Sequence, residues 1–224
     1  EYRRCGSECY YDVRDRRFNP ARAELKALSS SEAEVASRYT PTLAAMLIFL
    51  NRTGFNGLFR LNRSGGFNVP AGRYSDPRIC DETHIRAVAA ALASPRVAIT
   101  LSPFDETLSG CTRGDFVYCD PPYAPLSRTS NFAHYTAGGF TTFDQWRLQQ
   151  AVIAACSRGA RVIVSNSSAS EILKAYTTLD AQKVQLKISR VPARRAINSR
   201  ATSRGPVDEL IISNVLDAVR PLDH

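Results

Sequence analysis

The sequence predicts an α/β fold, in which a doubly wound sheet with a C-terminal β-hairpin follows a separate module of helices and loops. Two observations lead to this prediction. Over residues 96–215, short strand-like runs alternate with helix patterns. The first three runs are nearly all apolar, as expected of central parallel strands that are covered on both faces. Residues 1–95 instead combine helix patterns with a stretch rich in Gly, Asn and aromatic residues. The length of 224 residues accommodates one large domain or two small ones.

The first module is predicted to contain short helices and one long loop. It opens with a polar, irregular segment. Ser31 and Glu34 have the spacing of a capping box, and Asp81 is placed to cap a later helix. The stretch from Gly54 to Cys80 is rich in loop-forming residues. Helix patterns cover residues 20–28, 29–39, 40–53 and 81–94, the last with an apolar stripe of Ile85, Val88, Ala89 and Leu92.

The second half is predicted to alternate strands and helices. Its clearest helix pattern covers residues 141–159, with Thr142 and Gln145 as a capping box and Gly159 as the stop. A second helix is expected at 168–176. The last two strands, separated by a basic loop, should pair as a hairpin at the sheet edge. The predicted strands are 96–101, 115–119, 161–166, 183–189 and 208–215.

Composition narrows the class of protein. Hydrophobic residues make up 44% and charged residues 22% of the chain, which is ordinary for a soluble globular protein. The longest apolar run, LAAMLIFL, is too short to span a membrane, and the charged N-terminus does not resemble a secretory signal. The six cysteines contain no C-x-x-C pair. We therefore expect a cytoplasmic protein with reduced thiols and no metal site.

The distribution of charge suggests a polyanionic partner. The net charge is +8. Residues 52–78 contain five arginines and one acid, and residues 187–204 contain six basic side chains and no acid. Both segments are rich in small polar residues or glycine. A solvated basic face is the simplest explanation, but this composition is more typical of loops that contact phosphates.

The stretch DFVYCDPPY predicts a functional site. The strand at 115–119 runs directly into Asp120, Pro121, Pro122 and Tyr123. Two prolines end the strand and prevent a helix from starting at once. The acid and the aromatic ring are therefore held on rigid backbone at the carboxyl edge of the sheet, where ligands bind in open α/β folds.

Two blocks resemble the Dam-type DNA adenine-N6 methyltransferases. DFVYCDPPYAPLS is similar to the family's methyl-transfer motif, and FLNRTGFNGLFRLNRSGGFNVPAGRY (49–74) to its target-recognition segment. The resemblance implies a partial Rossmann-like methyltransferase sheet with a target-recognition module. It also implies S-adenosyl-L-methionine as cofactor, double-stranded DNA as partner and a flipped-out adenine as substrate, in a bacterial or phage-encoded protein. The implied catalytic residues are Asp120, Pro121, Pro122 and Tyr123.

The same resemblance assigns DNA contacts. Phe55 matches an aromatic residue that wedges into the base stack, with Asn56 beside it, while Leu58 and Arg60 match residues that read base edges. These roles imply a GATC target. Alternatively, Phe55, Leu58, Phe59 and Phe67 form a small core, which is the interpretation preferred for Phe59 and Phe67. The remaining implied contacts are Pro70, Arg73 and Tyr74, Arg128 and Asn131 in a lid at 124–141, and Arg195 in the basic loop.

The cofactor site departs from the family pattern. The sequence holds no glycine turn of the F-x-G-x-G type after a strand. Only a rim is expected: Ser102, Pro103, Phe104 and Asp120. We therefore expect a chain without the first part of the family's sheet, which leaves an apolar sheet edge exposed and binds the cofactor very weakly. The expected organisation is recognition module 1–95, C-terminal part of the catalytic domain 96–217 and tail 218–224.

Three alternatives remain at this stage. The chain is a DNA-binding fragment that has lost catalysis, or one half of a split enzyme whose partner chain supplies the missing N-terminal part. The third alternative is a related methyltransferase that acts on cytosine N4 or on a protein glutamine. The acid at position 120 and the FNGL and FNVP blocks favour DNA adenine over that third alternative.

Overall fold

The computed structural model describes residues 2–29, 31–62, 64–126, 140–194 and 206–215. The chain divides into two units, Glu1–Leu101 and Ser102–His224, and each has its own hydrophobic core. No helix in these ranges is long and apolar enough to cross a membrane. The predicted tail at 218–224 lies outside the described residues.

The first unit is helical apart from the loop-rich stretch after Gly54. Its core contains Tyr10, Phe18, Leu50 and Phe67, all almost completely buried. The helices are α1 (Tyr2–Tyr11), a π-helix (Asp12–Phe18), α2 (Asn19–Ala27), α3 (Glu32–Ser37), α4 (Pro41–Thr53) and α5 (Glu82–Leu92).

The expected irregular N-terminal segment is wrong, because residues 2–18 are helical. Their sequence is dense in charge, which hides the helix pattern. Tyr10 and Phe18 nevertheless reach the core and are fully buried, so tertiary packing rather than local propensity stabilises this helix.

The four predicted helices of this unit are confirmed, and the two predicted caps, Ser31 and Asp81, are present, whereas α2 has no side-chain cap. The Ser31 hydroxyl accepts a hydrogen bond from the Glu34 amide at 3.2 Å. Asp81 Oδ1 accepts one from the His84 amide at 3.1 Å. Thr40 caps α4 in the same way. Side-chain acceptors satisfy amides that a helix start leaves without a partner.

The second unit is built on a four-stranded sheet in the order β1-β2-β4-β3 among its described residues. β1 and β2 are parallel, and β3 and β4 form the predicted antiparallel hairpin, in which Ile188 pairs with Ile212. Val162 and Val164 of β2 are fully buried. The strands are β1 (Phe116–Cys119), β2 (Arg161–Ser167), β3 (Lys187–Arg194) and β4 (Pro206–Ser213).

Four helices precede or connect the strands of this sheet in chain order among the described residues. The α7 helix carries a capping box, but one residue earlier than predicted: Thr141 and Asp144 form it, rather than Thr142 and Gln145. Gly159 follows the helix with a φ of 96°, which favours glycine, and so ends it as predicted. The helices are α6 (Phe104–Ser109), α7 (Thr142–Ser157), α8 (Ser170–Tyr176) and α9 (Leu179–Lys183).

Three strand predictions need correction. Residues 96–101 form no strand; Ile99 is 76% exposed, because apolar alternation without a neighbouring strand makes no ladder. β3 begins at Lys187 rather than at 183, since Thr178 caps the helix that ends at Lys183. β1 is not covered on both faces, because Phe116 is 61% exposed.

The expectation of six reduced cysteines is also wrong. Cys5 and Cys9 form a disulfide with their Cα atoms 5.5 Å apart. The two cysteines are four residues apart in α1, which has a kink at Gly6 between them. This C-x-x-x-C spacing is not found by a search for C-x-x-C. Cys80, Cys111, Cys119 and Cys156 are free thiols.

Candidate active site and recognition segment

The Asp120–Tyr123 segment leaves the sheet at the carboxyl end of β1. Because β1 and β2 are parallel, the polar residues that end β2 lie beside it. Ser165 of β2 donates a hydrogen bond from its hydroxyl to Asp120 Oδ1 at 2.7 Å. Asp120 itself is exposed. The structure therefore presents one oriented carboxylate at this edge, held from the neighbouring strand.

A buried polar network holds the backbone of the segment. Gln145 Nε2 of α7 donates to the Pro122 carbonyl at 2.8 Å. The Ala124 amide donates to Asn166 Oδ1 at 3.0 Å, and Asn166 Nδ2 donates to Gln145 Oε1 at 3.1 Å. The Ser167 hydroxyl donates to the Ala124 carbonyl at 2.6 Å. Since buried polar groups are costly without partners, this satisfied network fixes the loop in one conformation.

Tyr123 is anchored through its hydroxyl. The phenol donates to Glu209 Oε2 of β4 at 3.3 Å, and the side chain is half-buried. Burial raises the pKa of Tyr123 above its usual range. The nearby Ser165 hydroxyl opposes this shift, whereas the Glu209 and Asp120 carboxylates add to it. The phenol is therefore neutral at physiological pH, and its ring is held on rigid backbone next to the exposed carboxylate.

Cys119, which precedes Asp120, is an uncharged thiol. Burial raises its pKa to about 11. A thiol in that state is a poor nucleophile, so Cys119 is not a candidate catalytic group.

The proposed cofactor rim contacts α6 and α7 rather than Asp120 among the described residues. Ser102 shares a hydrogen bond of 2.8 Å with the Thr107 hydroxyl. Phe104 packs on Phe140 with ring centroids 5.8 Å apart, and the Arg147 guanidinium lies 5.2 Å from the Phe104 ring centroid. Pro103 precedes the first turn of α6 and is exposed. Among the described residues, no hydrogen bond, ion pair or ring contact joins Ser102–Phe104 to Asp120.

In the first unit, residues 54–62 and 64–74 form a largely exposed segment. Phe55 donates its amide to the Pro70 carbonyl at 2.9 Å, which brings two of the predicted DNA contacts together. Phe55 and Tyr74 are 45% and 41% exposed. Asn56 has a φ of 52°, a conformation that Asn tolerates better than most residues. Pro70, Arg73 and Asn56 are exposed, and Leu58 is half-buried.

Arg60 is engaged within this segment. Its Nε donates to Asn68 Oδ1 at 2.8 Å and its Nη2 to the Asn68 carbonyl at 3.1 Å. The side chain therefore spans the short hairpin that carries it. Phe67 is buried, as predicted for a core residue. Phe59 packs on Phe67 but remains 36% exposed.

A basic concavity lies beside this segment. Its volume is about 330 Å³, and two arginines, Arg52 and Arg78, are among its lining residues. Arg78 is paired with Asp81 at 3.0 Å. The lining residues are Asn51, Arg52, Gly57, Tyr74, Pro77 and Arg78.

Several site residues were missed by the sequence analysis. Ser165, Asn166 and Ser167 are the last three residues of β2, after its apolar run, and polar residues at the carboxyl end of a parallel strand were a usable signal. Gln145 and Glu209 carried no such signal. Arg128, Asn131 and Arg195 lie outside the described residues. No cluster of three or more His, Cys, Asp or Glu in the described ranges could hold a metal ion.

Comparison with known proteins gives a consistent answer. Residues 3–197 match the family model of D12 class N6 adenine-specific DNA methyltransferases. A Type II methyltransferase of Lactococcus lactis subsp. cremoris is 37% identical over 171 residues, which cover 76% of this chain and 58% of the relative. A DNA adenine methylase of Vibrio cholerae is 38% identical over 165 residues, 73% of this chain and 56% of that protein. The chain thus spans a little over half the length of these relatives.

Proposed function

Since the chain belongs to the D12 class N6 adenine-specific DNA methyltransferases, we propose that it transfers a methyl group to N6 of an adenine in duplex DNA. S-Adenosyl-L-methionine is the proposed donor and GATC the proposed target. The observation that carries the proposal is the exposed Asp120 carboxylate, oriented by Ser165 at 2.7 Å on a backbone that Gln145 and Asn166 hold.

The chemistry requires two acceptors at the adenine amine. That amine is a poor nucleophile because its lone pair is delocalised into the ring. We assign one acceptor to the Asp120 carboxylate and the other to the Pro121 carbonyl. Together they hold the amine hydrogens out of conjugation and so direct the lone pair toward the methyl group. Gln145 binds the carbonyl of Pro122, which fixes the direction of the preceding carbonyl at little further entropic cost.

Tyr123 is assigned to the face of the base. Its hydroxyl donates to Glu209 and is therefore not available to donate to the base. We assign the ring to stacking on the base. Because the amine is not accessible in a base pair, the adenine must be flipped out of the duplex, which costs roughly a few kcal/mol. Stacking on a ring that is already fixed offsets part of that cost.

The described residues fit only one end of the cofactor. The exposed carboxylate of Asp120 complements a cationic sulfonium, and Ser102, Pro103 and Phe104 are the proposed rim. When bound, S-adenosyl-L-methionine supplies the methyl group. The hydroxyl of Ser102 and the ring of Phe104 are engaged with Thr107, Phe140 and Arg147, so we expect this chain alone to bind the cofactor weakly.

DNA recognition is assigned to the first unit. The exposure of Phe55, Pro70 and Tyr74 suits residues that contact bases, and the concavity with Arg52 and Arg78 suits a phosphate. This division of labour keeps residues 1–95 as the recognition module and 96–217 as catalytic. In a bacterial or phage setting the protein would act in the cytoplasm. The further proposed contacts are Asn56, Leu58, Arg60, Arg73, Arg128, Asn131 and Arg195.

One observation favours a second candidate, half of a split or otherwise completed enzyme. Phe116 and Tyr118 of β1 are 61% and 58% exposed, and β1 has a partner on one side only in the described part of the sheet. Another polypeptide segment that adds a strand there would cover this surface and supply a glycine turn for the cofactor. Without such a segment, the chain would bind DNA but not methylate it.

The test is a methyl-transfer assay with labelled S-adenosyl-L-methionine on matched duplexes with and without GATC. The full chain is compared with Asp120→Ala, and DNA binding is measured in parallel. Transfer confined to GATC and lost in the variant supports the enzyme. Specific binding without transfer supports the second candidate. The absence of both binding preference and transfer overturns the proposed function.

A further inference from the structure

The first helices of the chain form hydrogen bonds with the backbone of residues 67–70, which belong to the proposed recognition segment. The Tyr10 hydroxyl donates to the Val69 carbonyl at 2.8 Å, and Arg14 Nη1 donates to the same oxygen at 2.9 Å. These bonds join residues 59 and 55 positions apart in the chain. Val69 is 1% exposed and lies directly before Pro70. One buried carbonyl thus receives two donors next to a proposed DNA contact.

Asn19 holds the same backbone two residues earlier. Its Nδ2 donates to the Phe67 carbonyl at 3.0 Å, and its Oδ1 accepts from the Phe67 amide at 2.8 Å. The side-chain amide therefore replaces a neighbouring strand, since it pairs with both backbone groups of one residue. Such a pair fixes the register as well as the position of the segment.

Arg14 is itself immobilised. Its Nε and Nη2 donate to the two carboxylate oxygens of Asp15 at 2.7 and 3.0 Å. Its guanidinium carbon lies 4.6 Å from the ring centroid of Tyr11. Arg14 also lies in the π-helix, a rare conformation that is frequent at functional sites. The donor is thus oriented before DNA arrives.

The opposite side of the segment carries the proposed base contacts. The Pro70 carbonyl accepts the Phe55 amide at 2.9 Å, so a shift of Val69 moves Pro70 and Phe55 together. Gly54 leaves room for the Tyr10 hydroxyl, because a Cβ at position 54 would lie only 3.0 Å from that oxygen. The hydroxyl, the carbonyl and the base-contacting residues form one continuous chain of contacts.

We propose that Tyr10, Arg14 and Asn19 are positioning residues for DNA selectivity, which act by fixing the register of residues 67–70 rather than by touching DNA. This inference rests on the proposed function, because it assumes that Phe55 and Pro70 contact the target. It predicts that a loss of these hydrogen bonds weakens discrimination between duplexes more than it weakens overall DNA binding.

The experiment uses the full chain and the variants Tyr10→Phe and Asn19→Ala. Tyr176→Phe is the matched control, because Tyr176 is also a buried tyrosine but belongs to the second unit. Fluorescence anisotropy gives the Kd ratio between a GATC duplex and duplexes with one base changed. Hydrogen exchange of the Phe67 amide reports on the register independently of DNA.

We expect both variants to lower the Kd ratio about tenfold, the equivalent of roughly one hydrogen bond. We also expect Asn19→Ala to speed exchange at Phe67, and Tyr176→Phe to change neither readout. An unchanged Kd ratio in both variants overturns the inference, and so does an equal loss in the control. If the wild-type chain itself shows no preference among duplexes, the proposed function fails, and that failure appears before any variant is compared.

Discussion

Asp120 owes its orientation to a side chain on the neighbouring strand. The Ser165 hydroxyl donates to its carboxylate at 2.7 Å and is only 3% exposed. A hydrogen bond to a charged group contributes roughly 1.5–3 kcal/mol. This exceeds the conformational-entropy cost of fixing the side chain of an exposed aspartate in one rotamer. The carboxylate is therefore placed before the substrate binds, so that little of the binding energy is needed to orient it.

We expect Ser165→Ala to lower the single-turnover rate of methyl transfer at least about tenfold, because the free carboxylate samples several rotamers. Tyr118→Phe is the control. It removes a hydroxyl that bonds Ser165 at 3.3 Å but leaves the bond between Ser165 and Asp120. The assay uses saturating DNA and cofactor, in whichever chain or complex shows transfer. Equal rates in the wild-type and Ser165→Ala proteins would contradict this role.

The buried phenol of Tyr10 leads to a second prediction, which concerns the pH dependence of the free energy of unfolding. Burial raises the pKa of Tyr10 from 10.0 to about 12. Between these values the unfolded chain loses the phenolic proton and the folded chain keeps it. The free energy of unfolding therefore falls as pH rises from 10 to about 12, while the contribution of Tyr10 is fully present below pH 10.

Denaturant titrations at several alkaline pH values measure this effect. The wild-type chain should lose more stability across the window than Tyr10→Phe, which has no proton to release. Tyr11→Phe serves as a control, because Tyr11 is 38% exposed. Parallel pH profiles for wild-type and Tyr10→Phe would show that the phenol ionises equally in both states.

At the scale of elements, caps were easier to predict than strands. Ser31, Asp81 and Gly159 end or begin helices where the sequence indicates, because a cap depends on a few local atoms. Residues 96–101 are a nearly all-apolar, strand-like run but have no strand partner among the described residues. A strand depends on its neighbours, so its sequence alone is weaker information.

The capping box of α7 lies one residue before its predicted position, so substitutions at the two positions can be compared. The Thr141 hydroxyl accepts from the Asp144 amide at 3.2 Å, and Asp144 Oδ2 accepts from the Thr141 amide at 2.9 Å. We expect Thr141→Ala to lower the free energy of unfolding by about 1 kcal/mol, and Thr142→Ala by less than about 0.5 kcal/mol. Thermal or urea unfolding distinguishes the two. The reverse order would restore the box at Thr142 and Gln145.

The two halves of the candidate site differed in what the sequence could predict. Asp120 and Tyr123 were identified because their neighbours, two prolines and a strand, are adjacent in the chain. Asn166 and Gln145, which hold that loop, lie 42 and 23 residues from their partners in it. Tyr10 and Arg14 lie still further from Val69. Contacts over such separations depend on the fold. The position of Asn166 at the carboxyl end of a strand marks that edge as a candidate site, but it does not identify the partner of Asn166.

At the scale of the whole molecule, each unit has a group of exposed apolar side chains that its core does not cover. In the first unit, Ile85, Val88 and Leu92 of α5 are 38–48% exposed, so the predicted apolar stripe exists but is not covered there. In the second unit, Phe116 and Tyr118 project from β1. The sequence predicts an exposed apolar sheet edge, and the exposure of Phe116 and Tyr118 on β1 agrees with that prediction.

This exposed edge leads to the last prediction. An edge strand with an apolar face and free backbone groups is a template for association with another chain. We expect the sedimentation coefficient of the isolated chain to rise with protein concentration, and Phe116→Lys to reduce that rise, because a lysine on an edge strand opposes pairing. Phe143→Lys is the matched control: Phe143 is 64% exposed but lies on α7. A concentration-independent wild-type chain, or an equal effect of both lysines, would mean that β1 is not the surface through which this protein associates.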